Sequence, residues 1–328
     1  GLREQMLPVR GLIGLKSPFI GRQKELDAMH QMGQVLGSQT GGIIWIEGEA
    51  GMGKSRLMRE FSNLYAKRGA LVLRGTCTAR RSEFAFALFS DLLLQAFDIQ
   101  QNYTPNQINE QIDLKTNEWS QELIEIRPFL QLLMGVHPSG VQGERIISME
   151  PEQLRRQTFA AIHRLVSVLA SKYPLLLLLD DLQWIDSISA DLLLYLSHLV
   201  VSQRVLFVCA QRKKEASPFE QTLARTRSMH PEHYIHLSIN PLTIAECREL
   251  LSEFLSSADL PDSILSLIVQ QSGGNPYFIE EFVRLLVEKD LLRLVRGRLV
   301  ANHTLQADTL MVPASLESLI RARIDALE

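Results

Sequence analysis

Lys54 and Ser55 close the stretch GEAGMGKS (48–55), in which Gly48, Gly51 and Gly53 crowd together directly after the apolar run IIWI (43–46). Glycines allow positive φ and let the backbone come close to a ligand. A lysine adds a compact positive charge, and a serine adds a hard oxygen. The pattern G-x-x-x-x-G-K-[ST] between a strand and a helix is that of a loop whose backbone N–H groups cradle a polyphosphate. Read this way, Glu49, Ala50, Gly51, Met52, Gly53, Lys54, Ser55 and Arg56 bind a nucleotide, Lys54 bridges its β- and γ-phosphates, and Ser55 ligates Mg²⁺. A bare glycine-rich turn is the bland alternative, and the strand and helix on either side argue against it.

Two carboxylates extend the set. Asp180 and Asp181 end the run LLLLLDD (175–181). A carboxylate at a strand tip can hold Mg²⁺ through its water shell, which is the role expected of Asp180. Asp181, one residue on, is placed to orient or deprotonate an attacking water. Capping of the helix near Ser187 falls to Asp186.

These groups need a scaffold. Five consecutive leucines at 175–179 suit a strand buried on both faces, hence a parallel sheet covered by helices. Strands are expected at 43–47, from Leu71, at 175–179, 204–210 and 234–238, alternating with helices near 22–37, 55–68, 84–97, 151–172 and 187–200. That is an α/β P-loop NTPase core. Gly69 is placed to close the second helix. After Pro241, helices near 243–255, 262–271 and 276–289 follow one another, then a hairpin over 293–300 and a helix over 316–327. The expected division is a linker over 1–18, a core over 19–240 with a helical insertion over 98–150, and a smaller all-helical lid over 241–328.

Composition narrows the class. The chain has 328 residues and a net charge of −3, too balanced for a generally basic nucleic-acid surface. Its three cysteines, Cys77, Cys209 and Cys247, lie far apart without a CxxC pair, which argues against a disulfide framework or a zinc site. GLREQMLPVR lacks the apolar core of a signal peptide, and no apolar run could span a bilayer. A cytoplasmic protein without membrane contact is the expectation.

The blocks FIGRQKEL (19–26), GEAGMGKSRL (48–57), LLLLLDDLQWID (175–186), VLFVCAQR (205–212), GGNPYFIEEFVRLLVEKDLL (273–292) and VPASLESLIRARIDAL (312–327) together resemble one family. It is the STAND class of signal-transduction ATPases with numerous domains, in the AAA-type form fused to bacterial nucleotide cyclases and LuxR-type regulators. The resemblance covers about residues 17–327. It implies ATP/ADP and Mg²⁺ as ligands, with Ile20, Gly21 and Arg22 wrapping the adenine side and Pro276 touching the base. It also implies that Arg212 acts as a sensor arginine, able to reach a γ-phosphate and tell ATP from ADP. Arg22 read plainly is a helix-start residue, Arg212 the head of a solvated Arg-Lys-Lys run, and Pro276 a first-turn proline with Asn275 as its cap.

The implied function is a slowly hydrolysing switch that regulates a fused output domain, a cyclase or a transcriptional regulator. Fused sensor domains and nucleotide-dependent self-association belong to the same expectation, as does the absence of direct nucleic-acid binding. The final helix stays amphipathic to the last residue, so a fragment of a larger protein, cut before a winged-helix domain, is expected. An origin-recognition-like ATPase acting on DNA, or a small-molecule kinase, would use the same loop. The first calls for a basic DNA-facing domain and the second for an acceptor pocket, and neither feature is evident. His230, His233 and His236 invite a metal reading, but three-residue steps on an extended chain point side chains to opposite faces.

Overall fold

A computed structural model describes residues 19–138, 140–212, 218–229, 231–254, 262–288, 290, 292–295 and 298–301. The expected linker over 1–18 and the helix over 316–327 lie outside these residues. In chain order the elements are α1 (Gln23–Gly33), β1 (Gly42–Glu47), α2 (Lys54–Lys67), β2 (Leu71–Thr76), α3 (Ala87–Ala96), α4 (Pro105–Trp119), α5 (Arg127–Leu133) and α6 (Gly140–Ile147). There follow α7 (Pro151–Lys172), β3 (Leu175–Asp180), α8 (Ser187–Ser197), β4 (Val205–Gln211), α9 (Pro218–Met229) and β5 (Tyr234–Ser238). The last are α10 (Ile244–Phe254), α11 (Asp262–Ser272), α12 (Pro276–Glu288), β6 (Leu292–Val295) and β7 (Arg298–Ala301).

The chain divides into two compact units. Among the described residues, the larger comprises those in 25–48 and 54–238, and the smaller those in 19–24, 49–53 and 239–301.

The larger unit is built on a five-stranded sheet in the order β2-β3-β4-β1-β5, with every neighbouring pair parallel. Alternate residues Leu175, Leu177, Leu179, Phe207 and Cys209 enter one large core, and Leu176, Leu178, Leu206 and Val208 on the opposite face are equally buried. Covering both faces removes the need for a polar alternation, which is why β3 can be almost pure leucine. Ile112, Trp119, Leu123 and Leu130, from the 98–150 stretch, lie in that same core. This stretch carries α4, α5 and α6.

Local signals explain the element ends. Gly69 takes φ +84, while Ala70 N–H donates to Tyr65 O and Gly69 N–H to Ala66 O, closing α2 in a Schellman-type turn. Thr104 caps α4 in a reciprocal box with Gln107, and Pro105 follows at the first helical position. Asp186 caps α8 by accepting from Ser189 N–H at 2.8 Å. Asp186 also accepts from Phe86 N–H at 3.3 Å, where Phe86 adopts φ +62. That turn delays α3 to Ala87, three residues after the expected start at 84.

The smaller unit packs α10, α11 and α12 around Leu250, Leu251, Phe254, Ile268, Phe278, Phe282 and Val283, with Ile20 packed against them. Thr243 and Glu246 form a capping box ahead of α10, with Glu246 Oε2 accepting from Thr243 N–H at 2.7 Å. β6 and β7 form the expected antiparallel hairpin.

Candidate functional site

Chemistry can be built at the C-terminal ends of the parallel strands, where open α/β sheets gather their ligands. Strand order fixes which tips are neighbours. β4 lies between β1 and β3, with Gln211 opposite Glu47 on one side and Cys209 opposite Leu179 on the other. The ladder continues into the glycine-rich loop through Gly48 N–H to Gln211 O at 3.3 Å. Arg212, which follows β4, therefore leaves the sheet between the strand that feeds the loop and the strand that ends in Asp180.

Lys54 opens α2 and is buried at 7% exposure, its Nζ donating to Gly48 O at 2.7 Å. A buried ammonium needs such a partner, and the loop carbonyl supplies one. Ser55 is exposed on the first turn of α2, and its hydroxyl hydrogen-bonds Asp180. Burial pushes the Asp180 carboxyl above the usual carboxylate range, and the Asp181 charge beside it acts in the same direction. The Ser55 hydroxyl, the Asp181 N–H and Lys54 partly offset that rise. A part-buried carboxylate in these surroundings is one that a cation would favour.

Asp181 adopts a left-handed conformation, φ 55 and ψ 41. Its N–H donates to Asp180 Oδ1 at 2.9 Å, and its own Oδ1 accepts from Gln183 Nε2 at 2.9 Å. Gln183 was not among the expected site residues. The signal for it was its place inside the DDLQWID block.

Within the smaller unit, residues 49–53 of the loop are held from outside. Ala50 O accepts from Asn275 Nδ2 at 3.0 Å, Gly51 O from Tyr277 N–H at 3.3 Å, and Met52 O from Arg22 at 3.3 Å. The carbonyls of Ala50, Gly51 and Met52 are thereby engaged, whereas a phosphate cradle is built from loop N–H groups. Gly51 and Gly53 take φ +79 and +90. A Cβ on Gly51 would lie 2.7 Å from Asn275 Oδ1 and 2.9 Å from Tyr277 Cβ, so glycine is required there for space as well as for conformation.

The remaining expected residues occupy defined places. Arg22 is buried and donates to Asn240 O at 2.7 Å as well as to Met52 O. Gly21 has φ +73, and a Cβ there would meet Leu242 and Glu246. Glu49 is exposed and Arg56 half-buried. Pro276 is the first residue of α12, and Asn275 Oδ1 caps that helix by accepting from Tyr277 N–H at 3.0 Å.

Other polar side chains, two of the histidines among them, have structural partners. Arg81 pairs with Asp91 at 2.7 Å. His233 bonds Gly41 O through Nδ1, and His236 Nε2 lies 3.4 Å from Glu47. Cys77 and Cys209 are buried, which pushes both thiols up and leaves them unreactive. Among the described residues, no helix is long and apolar enough to cross a membrane.

Comparison with known proteins identifies the family. The AAA ATPase domain matches residues 18–208. An uncharacterized protein of Rhizobium meliloti (strain 1021) is 27% identical over 293 residues, which are 84% of this chain and 26% of that protein. Adenylate cyclase type 10 of Rattus norvegicus is 21% identical over 273 residues, 81% of this chain and 16% of the cyclase. The chain thus spans under a third of either curated relative. Among solved structures, Cdc6p from Pyrobaculum aerophilum superposes with a TM-score of 0.50 at 12% identity, covering 85% of this chain and 66% of that one. At that identity the likeness concerns the fold. Because the family match covers more than half of its length, this chain belongs to the AAA ATPase domain family.

Proposed function

We propose that the chain is an ATP-binding, slowly hydrolysing switch module that regulates an attached output domain. The observation that carries this reading is the capture of Ala50, Gly51 and Met52 carbonyls by Asn275, Tyr277 and Arg22. A loop that only had to speed a reaction would not need its outer side fastened to α12. Fastened so, residues 49–53 belong to the helical unit, and a phosphate bound by their N–H groups acts directly on that unit.

The loop N–H groups and Lys54 bind the phosphates, Lys54 exchanging the Gly48 carbonyl for a phosphate oxygen. The hard oxygens of Ser55 and Asp180 suit Mg²⁺, which when bound neutralises phosphate charge. Asp181 orients the attacking water, and Arg212 distinguishes ATP from ADP. Ile20, Gly21, Arg22 and Pro276 flank the base. The cyclase relative and the family resemblance favour a cyclase or transcriptional regulator as the output, with sensor domains and self-association as further partners. Three free, buried thiols suit the cytoplasm.

The test is to release and identify any nucleotide that co-purifies with the chain, then to measure turnover in excess ATP. Bound ADP is expected, with turnover far below the enzyme median of about 10 s⁻¹. Absence of nucleotide binding, turnover at or above that median, or phosphoryl transfer to a small-molecule acceptor would overturn the reading.

A further inference from the structure

Gln183 lies in the short 3₁₀ turn Leu182–Trp184 that follows Asp181. Its two amide atoms face different strands. Nε2 donates to Asp181 Oδ1 at 2.9 Å, just past the tip of β3, and Oε1 accepts from Arg212 N–H at 3.0 Å, just past the tip of β4. We propose that Gln183 is a positioning residue that couples Asp181 to the backbone of Arg212, so that the two strand tips act as one unit during ATP hydrolysis. This inference rests on the role proposed for Asp181.

The chemistry of the bridge is specific. One end meets an acceptor that cannot donate, and the other meets a donor that cannot accept. Only a side chain that both donates and accepts satisfies the pair. The orientation of the amide follows from the same fact, because exchanging O and N would set oxygen against carboxylate and N–H₂ against N–H. Asparagine is one methylene too short to span the same gap. Glutamate keeps the acceptor but sets a negative charge against Asp181, whereas lysine has no acceptor.

Asp181 needs such a restraint. Its left-handed backbone is a conformation that few non-glycine residues adopt, and it must be held by its surroundings. Trp184 N–H donates to Asp181 O at 3.0 Å and fixes the backbone, while Gln183 fixes the carboxylate. A displacement of the chain at Arg212 pulls on Oε1 and is passed to the oxygen on which Nε2 rests.

The test is a double-mutant cycle on the full chain, with Gln183→Met and Asp181→Ala singly and together. Nucleotide Kd is measured by titration and kcat by phosphate release. Gln183→Met is expected to lower kcat on the order of ten- to a hundredfold, as loss of a supporting hydrogen bond does at other sites, with Kd unchanged within about threefold. It should add no loss in the Asp181→Ala background. Gln183→Glu, which sets a charge against Asp181, should be at least as slow as Gln183→Met with Kd likewise unchanged, and an unchanged Kd shows that the nucleotide site is still folded. Additive losses, or a Kd that rises in step with the fall in kcat, overturn the proposal.

A wild-type chain that binds ATP without hydrolysing it would defeat the catalytic reading of Asp181 but not the bridge itself. The bridge is then read from the ¹⁵N–¹H resonance of Arg212. Asp181→Ala should shift that resonance in the native background and leave it unmoved in the Gln183→Met background. An Arg212 amide indifferent to Asp181→Ala ends the proposal.

Discussion

Asn275 donates its Nδ2 to the carbonyl of Ala50 at 3.0 Å while its Oδ1 caps α12 through Tyr277 N–H. One side chain thus starts a helix and fastens the glycine-rich loop. The two jobs use different atoms and can be separated. Asn275→Asp keeps the cap and removes the donor, so the chain should melt near the wild-type temperature yet bind ATP at least tenfold more weakly. Asn275→Ala loses both and should also cost about 1 kcal/mol of stability. Calorimetric titration alongside thermal melts measures the two effects.

Lys54 is buried and donates its Nζ to Gly48 O at 2.7 Å. Thermal melts of the Lys54→Ala variant show whether its fold is kept. Nucleotide binding should be lost. Lys54→Ala is expected to raise the Kd for ATP at least about a hundredfold, roughly 2.7 kcal/mol. Unchanged affinity by fluorescent-nucleotide titration would remove the phosphate role from the loop.

Asp180 and Asp181 are adjacent but differently placed: Asp180 meets Ser55, and Asp181 meets Gln183. Their substitutions should therefore differ. Asp181→Asn is expected to bind ATP normally and slow its hydrolysis by about a hundredfold. Asp180→Ala should abolish the gain in ATP affinity that added Mg²⁺ gives the wild type. An Asp181→Asn chain with wild-type phosphate release contradicts the water-orienting role.

His30 packs against both Phe61 and Tyr65, with ring centroids 5.4 and 6.1 Å away, and its Nδ1 is buried without a hydrogen-bond partner. Burial, helped by the charge of Arg68, lowers its pKa below the ordinary 6.5. The unfolded chain then binds the proton more readily than the folded one. Stability is fully present above about pH 6.5 and is lost as pH falls from there through the depressed folded value. His163, lowered by burial and His198, contributes with the same sign. Urea melts at pH 7.5 and 5.5 should show a smaller acid loss in His30→Leu than in the wild type. An equal loss in the two chains refutes the assignment to His30.

Much of this architecture can be read along the chain because it depends on local rules. GEAGMGKS names its own backbone, since Gly51 and Gly53 are needed for positive φ whatever lies beyond them. Five leucines ahead of Asp180 announce a doubly covered strand, and Gly69 announces a helix end. Gln183 stays hidden in the sequence for a different reason. Its partner Arg212 is 29 residues away, and only the insertion of β4 beside β3 brings the two together. The arginine at position 22 shows the same limit, because its bonds to Met52 and Asn240 join segments that no periodicity relates. The capping box at Thr243 and Glu246 was available in the T-x-x-E spacing. The partners of the 98–150 helices were not, because interrupted apolar patches do not say which core they will enter.

β4 is laddered to a parallel partner along both sides, and all seven of its residues are buried. Such a strand cannot slip by one place without turning every side chain to the wrong face. It is the fixed post of the assembly, and whatever travels must travel beyond it. The chain beyond Gln211 begins with Arg212, whose N–H is held by Gln183, so a shift of that backbone is felt first at the amide beside Asp181.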